Sequence, residues 1–245
     1  MKINVYAVCW NEEQRLPYFL RHNETFANRI IIYDNMSTDR SQEIIKSHPK
    51  AELRTYDTEG KIRDDVYLFI KNNVWKHDEY ADWVIVGDVD ELIYNKNIIQ
   101  RLREIQEGGY TVVEPKAYKF FRKEFPDTEG QIYEQVYMGK ECATKLCIFK
   151  PNELEEIGFT PGCHSAFPKG NVNVYTADDI FFLHFNFIGK EFIAKRRIEY
   201  SKRLSPQNME HGWGLHYLDA DKGNEQRFID MANDPLYKDM RGIIF

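Results

Sequence analysis

Three acidic residues stand close together directly after an apolar segment of the sequence. Asp88, Asp90 and Glu91 follow residues 83–86, which are all apolar. Two carboxylates separated by one residue at the end of a strand can both reach a single divalent cation, and such oxygen ligands suit Mg²⁺ or Mn²⁺. A metal held there would neutralise a diphosphate leaving group. The alternative is that these acids only form a turn after the strand.

Two histidines are candidates to complete such a metal site. His184 ends the run at 179–183, and His164 follows a Pro-Gly-Cys sequence. Imidazole is a common metal ligand and would fill positions that an aspartate pair leaves open. Spacing alone favours simpler roles, a core histidine for His184 and a loop histidine for His164. Spacing is also weak evidence for the acids, because Asp219 and Asp221 repeat it in a segment that we predict to be a solvated turn.

The segments that would position these residues alternate between two hydrophobic patterns, apolar runs and apolar residues at helical spacing. Strands are predicted at 2–9, 30–33, 52–56 and 83–86, and helices after Asn11 and at 40–48, 62–77 and 95–107. Asn11 is expected to cap the first helix. This order predicts an α/β fold with a mostly parallel, Rossmann-like sheet covered by helices on both faces.

Polar residues follow each of the predicted parallel strands. In such sheets, ligands bind at the carboxyl ends of the strands. The residues expected at that edge are Trp10, Asn11, Glu12, Asp34, Asp57 and the acidic cluster at 88–91. Several strand ends therefore deliver an acid or an amide to one rim, which indicates a functional site.

The second half of the chain is less regular. Strands are predicted at 110–120, 144–149 and 180–183, and a basic helix at 190–203. The polar stretch 122–142 is predicted to be a long loop or a partly ordered lid. No repeat or linker interrupts the chain, so one domain over residues 1–245 is expected, with a smaller mixed β region in its second half.

Composition excludes several classes of function. The net charge of −6 gives no sign of the basic surface that nucleic-acid binding needs. No P-loop, dinucleotide fingerprint or Gly-x-Ser-x-Gly motif is present. No apolar run is long enough for a signal peptide or a spanning helix. We therefore expect a cytoplasmic protein with reduced thiols at its four cysteines, Cys9, Cys142, Cys147 and Cys163.

Six short segments occur in order along roughly residues 5–200: 8–13, 32–39, 86–91, 145–151, 162–164 and 183–185. As an ordered set they resemble GT-A fold glycosyltransferases of family 2, and most closely the branch that also looks like the family 92 (DUF23-type) enzymes. The resemblance implies a GT-A type sheet with a nucleotide-binding half at 1–110 and an acceptor-binding half at 111–245.

The resemblance also assigns roles to single residues near the donor. Trp10, Asn11 and Glu12 would hold the nucleotide base, and Asp34 would lie near the base or ribose. Lys61 or Arg63 would lie near the nucleotide. Asp88 would approach the ribose or the donor sugar and take part in the chemistry. One departure is that Asn35 follows Asp34, where family 2 usually has a second acid.

For the metal, the resemblance implies Asp90 and His184 as ligands of Mn²⁺ or Mg²⁺, with His164 as a further candidate. The catalytic base that family 2 enzymes usually show has no clear counterpart here. Glu114, at the end of a β-branched run, is our candidate, with Glu134 behind it. The simpler interpretation of Glu114 is a strand-end acid paired with Lys116.

The predicted activity is metal-dependent transfer of a sugar from a nucleoside diphosphate donor, UDP-linked by preference. The acceptor would be a hydroxyl of a glycan or a lipid-linked glycan, with inversion, at or near the inner face of a membrane. A sugar-phosphate nucleotidyltransferase is the first alternative, although its Gly-rich N-terminal loop is missing. A non-catalytic glycan-binding protein is the second, and an Asp-x-Asp phosphohydrolase is less favoured because Glu91 follows the acid pair.

Overall fold

The first half of the chain alternates strands and helices as the sequence predicts. The structure is a computed structural model that describes residues 1–78, 80–218 and 224–244. Four parallel strands lie side by side in the order β4-β1-β2-β3. They are β1 (Ile3–Cys9), β2 (Arg29–Asp34), β3 (Ala51–Thr55) and β4 (Trp83–Asp88), and the helices between them are α1 (Leu16–Asn23), α2 (Ser41–Ser47) and α3 (Asp64–Asn73).

The chain then forms shorter and more varied elements. A 3₁₀ turn (Val74–His77) extends α3, and β4 is followed by β5 (Glu91–Tyr94) and α4 (Ile98–Glu107). The remaining strands are β6 (Val112–Arg122), β7 (Met138–Glu141), β8 (Ile148–Phe149), β9 (Leu154–Glu156), β10 (Lys169–Gly170), β11 (Val174–Ile188) and β12 (Lys238–Asp239). The remaining helices are α5 (Ile132–Gln135), α6 (Lys190–Arg203), α7 (Pro206–Glu210) and α8 (Asn224–Asn233), with 3₁₀ turns at Pro161–Cys163 and Leu215–Tyr217. Across the described ranges, no helix is both long and apolar enough to cross a membrane.

Strands from the second half extend the parallel sheet on the β4 side. Strand β8 pairs antiparallel with both β4 and β6, and β7 pairs antiparallel with β6 and β12. Strand β11 runs parallel to β6 and antiparallel to β5. The result is a mostly parallel central sheet with a smaller mixed β region. The predicted α/β fold class is therefore confirmed.

Side chains that alternate along the parallel strands pack into two apolar layers. Ile30 and Ile32 of β2 belong to a core that also contains Leu16 of α1, Ile45 of α2 and Leu102 of α4. Tyr6, Ile31 and Val86 face the other way and pack with Trp75 and Leu68 of the α3 region. The period-two pattern of strands explains this division, since neighbouring residues point to opposite faces. Helices thus cover both faces of the sheet, as predicted.

Several local predictions are wrong. Asn11 does not cap α1, which begins at Leu16 without a side-chain cap. Its side chain instead accepts a hydrogen bond from Thr38 N at 2.8 Å, with its own backbone at φ 51°. The strand predicted at 144–149 is limited to β8, and the stretch 122–142 contains α5 and β7 rather than only a loop. Strand β5 was not predicted. The turn predicted at Asp219 and Asp221 lies outside the described residues.

All four cysteines are free. Cys9, Cys147 and Cys163 are buried and Cys142 is half-buried. Burial raises the pKa of the Cys9 thiol well above its usual value, and Glu12 and Asp34 raise it further. These cysteines therefore act as small apolar side chains rather than as nucleophiles.

Candidate active site

A cleft of about 570 Å³ opens at the carboxyl ends of β1 and β4. Its floor contains Trp10 and Glu12 after β1, and Asp88, Asp90 and Glu91 after β4. The wall of the cleft comes largely from the second half of the chain. It includes His164, Arg196, Arg197, Trp213, His216, Tyr217 and Arg227, and strand β11 adds His184 to the floor. This is the sheet edge at which parallel α/β proteins bind ligands.

Asp90, Glu91 and His184 come together on the cleft floor. Each offers one ligand atom, and these atoms lie within 4.8 Å of one another. His184 Nε2 is 3.8 Å from Asp90 Oδ2 and 3.9 Å from Glu91 Oε1. The group joins the predicted ligands Asp90 and His184 with Glu91, which the sequence placed in the acidic cluster but not among the ligands.

Strand pairing explains why an imidazole from residue 184 reaches acids near residue 90. Strand β11 runs antiparallel to β5, and His184 is the direct cross-strand partner of Glu91. Phe185 N also donates to Asp90 O at 2.8 Å, which continues the pairing by one residue. Directly opposed side chains on neighbouring strands lie close enough to interact. The site is therefore fixed by a β ladder rather than by loops.

The donor set fits a divalent cation. Two carboxylates and one imidazole are a ligand combination that Mn²⁺ and Mg²⁺ accept, with open positions left for a substrate. Two basic side chains contact the same carboxylates. Arg15 Nη1 lies 3.2 Å from Asp90 Oδ2, and Lys145 Nζ forms a close ion pair with Glu91 Oε1.

Asp88 is paired differently from its neighbours. Lys71 Nζ donates to both of its carboxylate oxygens at 2.7 and 2.8 Å, and Lys145 Nζ is 3.9 Å away. Burial favours the neutral acid, but Lys71 and Lys145 outweigh it and hold the pKa of Asp88 below its usual value. Asp88 lines the cleft but does not belong to the three-residue ligand group. It therefore stays ionised beside that group.

Asp90 is also held in its charged form. Burial alone would raise its pKa, but Arg15 and His184 lower it far more, so that the pKa lies well below the usual range. Glu12 behaves in the opposite way. Burial raises the pKa of Glu12 even though Arg196 forms a close ion pair with it and Arg15 lies 3.6 Å away. Two acids that share one arginine therefore differ in their affinity for a proton.

Helix α6 joins the cleft wall to the loop after β1. Besides its ion pair with Glu12, Arg196 donates to Asn11 O at 3.1 Å and lies 4.7 Å from the ring centre of Tyr200. Arg197 donates to His216 O at 2.8 Å. The basic helix predicted at 190–203 thus directs two of its arginines into the cleft rather than forming only a solvated face.

One cleft carboxylate differs from the others in having no cation beside it. Asp64, the first residue of α3, lines the cleft. Among the described residues it forms no ion pair, whereas Glu12, Asp88, Asp90 and Glu91 all do. Burial raises its pKa, and the more distant Lys71 only partly opposes this effect. A carboxylate with a raised pKa suits proton transfer better than a tightly paired one.

The predicted nucleotide-binding residues divide into two groups. Trp10 and Glu12 line the cleft, and Arg203 covers one face of Trp10 at 3.5 Å from the ring centre. Asp34 is fully buried, accepts hydrogen bonds from Ser37 N and Gln42 Nε2 (both 2.8 Å), and does not line the cleft.

The other predicted donor contacts lie outside the cleft as well. Asn11 holds the loop after β2 through Thr38. Arg63 is paired with Asp65 at 2.7 Å, and Lys61 is exposed. None of Asn11, Lys61 and Arg63 is among the residues that line the cleft.

The predicted catalytic base is not brought to the cleft. Glu114 lies near the start of β6, where it accepts a hydrogen bond from Thr176 Oγ1 at 3.0 Å. Thr176 precedes His184 by eight residues on β11, which at about 3.3 Å per residue is roughly 25 Å. Glu134 caps α5 through Gln131 N at 2.9 Å. Neither glutamate lines the cleft.

His164 does line the cleft, although it is not part of the ligand group. It follows the 3₁₀ turn Pro161–Cys163, in which Gly162 has φ 76°. Burial lowers the pKa of His164, with Lys145 and His184 acting in the same direction. A neutral imidazole is therefore available at the mouth of the cleft.

Sequence reasoning missed Glu91 as a ligand and Arg15, Lys71 and Lys145 as ion-pair partners. Glu91 was visible as the third acid of the cluster, followed by the apolar pair 92–93 that forms β5. Lys145 opens the segment 145–151 that carries the family resemblance. Arg15 and Lys71 left no local signal, because a basic residue on a helix is usually solvated.

No protein-family model and no curated protein matches the chain. Among solved structures, TarS of S. aureus is similar at 16% identity over 82% of this chain, with a TM-score of 0.48. The mannosyltransferase PcManGT from Pyrobaculum calidifontis, in complex with GDP-Man and Mn²⁺, is similar at 12% identity over 95%, with a TM-score of 0.47. Glucosyl-3-phosphoglycerate synthase from Mycobacterium tuberculosis, in complex with Mn²⁺, UDP and its product, is similar at 15% identity over 48%, with a TM-score of 0.34.

These structures belong to longer proteins. The chain spans 39% of the TarS chain, 73% of the mannosyltransferase and 44% of the synthase. At these identities and scores, the fold class rests on the sheet and helices of the chain itself.

Proposed function

We propose that this protein is a metal-dependent glycosyltransferase that uses a nucleoside diphosphate sugar, UDP-linked by preference. One observation carries the proposal: Asp90, Glu91 and His184 converge at the carboxyl end of β4, inside the cleft of an α/β sheet. That position suits the diphosphate of a bound nucleotide, and the donor set suits Mn²⁺ or Mg²⁺. The family resemblance of the sequence supports the same function.

In this proposal the metal would be held by Asp90, Glu91 and His184, with His164 near the mouth of the cleft as a further donor. When bound, it would neutralise the negative charge that the departing diphosphate develops. Arg196 and Arg197 line the same cleft and would contribute fixed positive charge.

The nucleoside would lie toward the loop after β1. Trp10, Tyr67 and Tyr200 line that part of the cleft and offer flat rings for a base. Asp88, held ionised by Lys71, would accept a hydrogen bond from a hydroxyl of the ribose or the donor sugar. Asp34 would act indirectly, by fixing the loop after β2 through Ser37.

The acceptor hydroxyl needs a group that takes its proton, and we assign this role to Asp64 in place of Glu114. Asp64 lines the cleft, lies outside every ion pair of the described residues, and has a raised pKa. A base of this kind contributes roughly 10²–10⁴-fold in rate when it is correctly placed. Inverting transfer to a hydroxyl of a glycan or a lipid-linked glycan is the reaction that we assign to the site.

The experiment is a thermal-shift and calorimetric titration with UDP and GDP, with and without Mn²⁺. We expect UDP to raise the melting temperature only when Mn²⁺ is present, because a ligand that binds the native state stabilises it. The Asp90→Asn variant should lose this response. Glu114→Gln is the matched control, since it removes an acid of the same sheet that lies outside the cleft, and it should respond like the unmodified protein.

A second assay separates this activity from its alternatives. Slow hydrolysis of a UDP-sugar, with UDP as product, would support glycosyl transfer, whereas pyrophosphate release from UTP would indicate a nucleotidyltransferase. A glycan-binding protein would do neither. UDP binding that survives both EDTA and Asp90→Asn would contradict the metal part of the proposal.

A further inference from the structure

Lys145 is a buried cation at the centre of the acidic cluster. Its side chain is 5% exposed, and its ammonium group forms a close ion pair with Glu91 Oε1. The next carboxylate is Asp88, whose Oδ2 lies 3.9 Å from the same nitrogen. Glu91 is even less accessible, with a side chain that is 3% exposed. Lys145 therefore compensates an acid that water does not reach.

The two oxygens of Glu91 have different partners. Oε2 accepts a hydrogen bond from Asp88 N at 3.1 Å and so fixes the turn after β4. Oε1 faces the site, because it is the oxygen that lies 3.9 Å from His184 Nε2. The oxygen available to a metal is thus the one that Lys145 occupies.

An ammonium group and a divalent cation compete for this oxygen. Two positive charges held at one carboxylate oxygen repel each other strongly in a buried site. A buried carboxylate also needs a partner at all times, since an unpaired buried charge is strongly unfavourable. The ion pair therefore has to be exchanged, rather than simply broken, when a metal enters.

We propose that Lys145 is a resident counter-ion that exchanges with the metal: a divalent cation at Asp90, Glu91 and His184 displaces the Lys145 ammonium from Glu91 to Asp88. The inference rests on the proposed metal-dependent function and adds a residue that tunes it. Asp88 is the acceptor for the displaced ammonium because it is already the second carboxylate of Lys145. Asp88 would then be shared by Lys71 and Lys145. This role explains why Asp88 lies beside the ligand group without belonging to it.

The exchange makes metal affinity lower than the ligands alone would give. Replacing Lys145 by a neutral side chain removes the competitor. Lys145→Gln should therefore bind Mn²⁺ at least ~10-fold more tightly, a gain of about 1.4 kcal/mol in binding free energy. Lys145→Arg keeps the charge and should bind no more tightly than the unmodified protein. Free Mn²⁺, measured by electron paramagnetic resonance during titration of the whole chain, gives the affinity without any assay of activity.

Lys71→Gln is the matched control. It removes a second buried lysine of the same cluster, but one that contacts Asp88 and not Glu91. A smaller gain in Mn²⁺ affinity than for Lys145→Gln is expected. Equal gains would mean that only the total charge matters and would overturn the exchange.

A double variant guards against misfolding. If Lys145→Gln is unstable because Glu91 is left unpaired, Mn²⁺ should raise its melting temperature more than it raises that of the unmodified protein. Adding Glu91→Gln to Lys145→Gln should abolish the gain in affinity. If the unmodified protein binds Mn²⁺ in an Asp90-dependent way and Lys145→Gln binds no more tightly, the exchange is wrong while the proposed function stands. If neither binds Mn²⁺ at Asp90, both are wrong.

Discussion

The two ends of strands β1 and β4 hold buried acids in different ways. Toward the amino end, Asp78 is 5% exposed and accepts hydrogen bonds from Asn4 Nδ2 (2.6 Å) and Tyr6 OH (2.5 Å). Within the described ranges no basic side chain forms an ion pair with it. At the carboxyl end, by contrast, Asp88 and Asp90 each face basic groups.

The difference separates a structural acid from the acids to which we assign a function. Two neutral donors, from Asn4 and Tyr6, hold Asp78 at Oδ2, and this network lies away from the cleft. Ion pairs at the other end add little net stability, because desolvating two charges offsets much of their attraction. Such pairs keep the acids ionised and available to exchange partners. Charged partners around a cleft acid therefore indicate function more than stability.

The largest effect on stability is expected at the amino end of strands β1 and β4. Asp78→Ala leaves Asn4 Nδ2 and Tyr6 OH without their acceptor, and each buried unpaired group costs about 1–3 kcal/mol. We expect a loss of about 4 kcal/mol in the free energy of unfolding, measured by urea denaturation, with nucleotide affinity unchanged in the folded fraction. Asp82→Asn, at the same end but half exposed, is the control and should change stability by less than about 0.5 kcal/mol. Weakened nucleotide binding in the folded fraction of Asp78→Ala would contradict the comparison, because Asp78 would then contribute to the cleft.

His22 extends the comparison to a base that is buried without an acid. Burial lowers its pKa from 6.5 to about 4, while the hydrogen bond that it donates to Ile93 O (2.8 Å) acts against this shift. The unfolded chain therefore takes up a proton below pH 6.5 that the folded protein does not bind until about pH 4. Stability should fall as the pH drops through this window, by about 3 kcal/mol in total.

Urea denaturation from pH 7.5 to 4 measures this effect, and His22→Gln should remove most of the slope. The pKa values of Asp88 and Asp90 lie below their usual range, so these two acids remain ionised over the same window. A slope that is unchanged in His22→Gln would assign the pH dependence to other groups.

Asp90→Asn tests the carboxyl end. The change keeps the shape of the side chain but removes the charge that Arg15 and His184 face. We expect Mn²⁺-dependent turnover of a UDP-sugar to fall on the order of 100-fold, since even residues behind metal ligands contribute 10–100-fold. Stability should fall by less than the loss of about 4 kcal/mol expected for Asp78→Ala, because the amide keeps an oxygen for Arg15 and Arg15 keeps Glu12 as a partner at 3.6 Å. A large loss of stability would mean that Asp90, like Asp78, mainly stabilises the fold.

Of the four changes, Asp64→Asn should affect stability and nucleotide binding least. If Asp64 takes the acceptor proton, turnover should fall roughly 100-fold or more at saturating substrate, with nucleotide affinity almost unchanged. The pH–rate profile should lose its acidic limb, which a purely structural role would not change. Unaltered turnover would show that Asp64 is not the base.

The sequence predicted the parallel sheet well because its signals are local. The apolar runs at 2–9, 30–33 and 83–86 correspond to β1, β2 and β4. Strand ends then place their polar residues on one rim by geometry alone, so Asp88, Asp90, Trp10 and Glu12 were found together in the cleft.

The failures concern pairing between distant segments. Glu114 follows a β-branched run, but it lies near the start of β6, and β6 pairs with β11 so that Glu114 is at the end of a long ladder that is far from the cleft. Lys145 and Glu91 are 54 residues apart, and no local pattern joins them. Asn11 followed the rule for helix caps, but α1 begins only at Leu16. The side chain of Asn11 bonds instead to the loop after β2, through Thr38.

The ladder between β5 and β11 has a consequence for folding fidelity. Because side chains alternate across a strand, a slip of one residue would set Leu183 or Phe185 opposite Glu91 and turn the imidazole of His184 to the other face. Such a chain would keep most of its secondary structure and could still look native by circular dichroism. Only the correctly registered molecule presents Asp90, Glu91 and His184 together, so the proposed Mn²⁺ binding would report the register of β11 against β5.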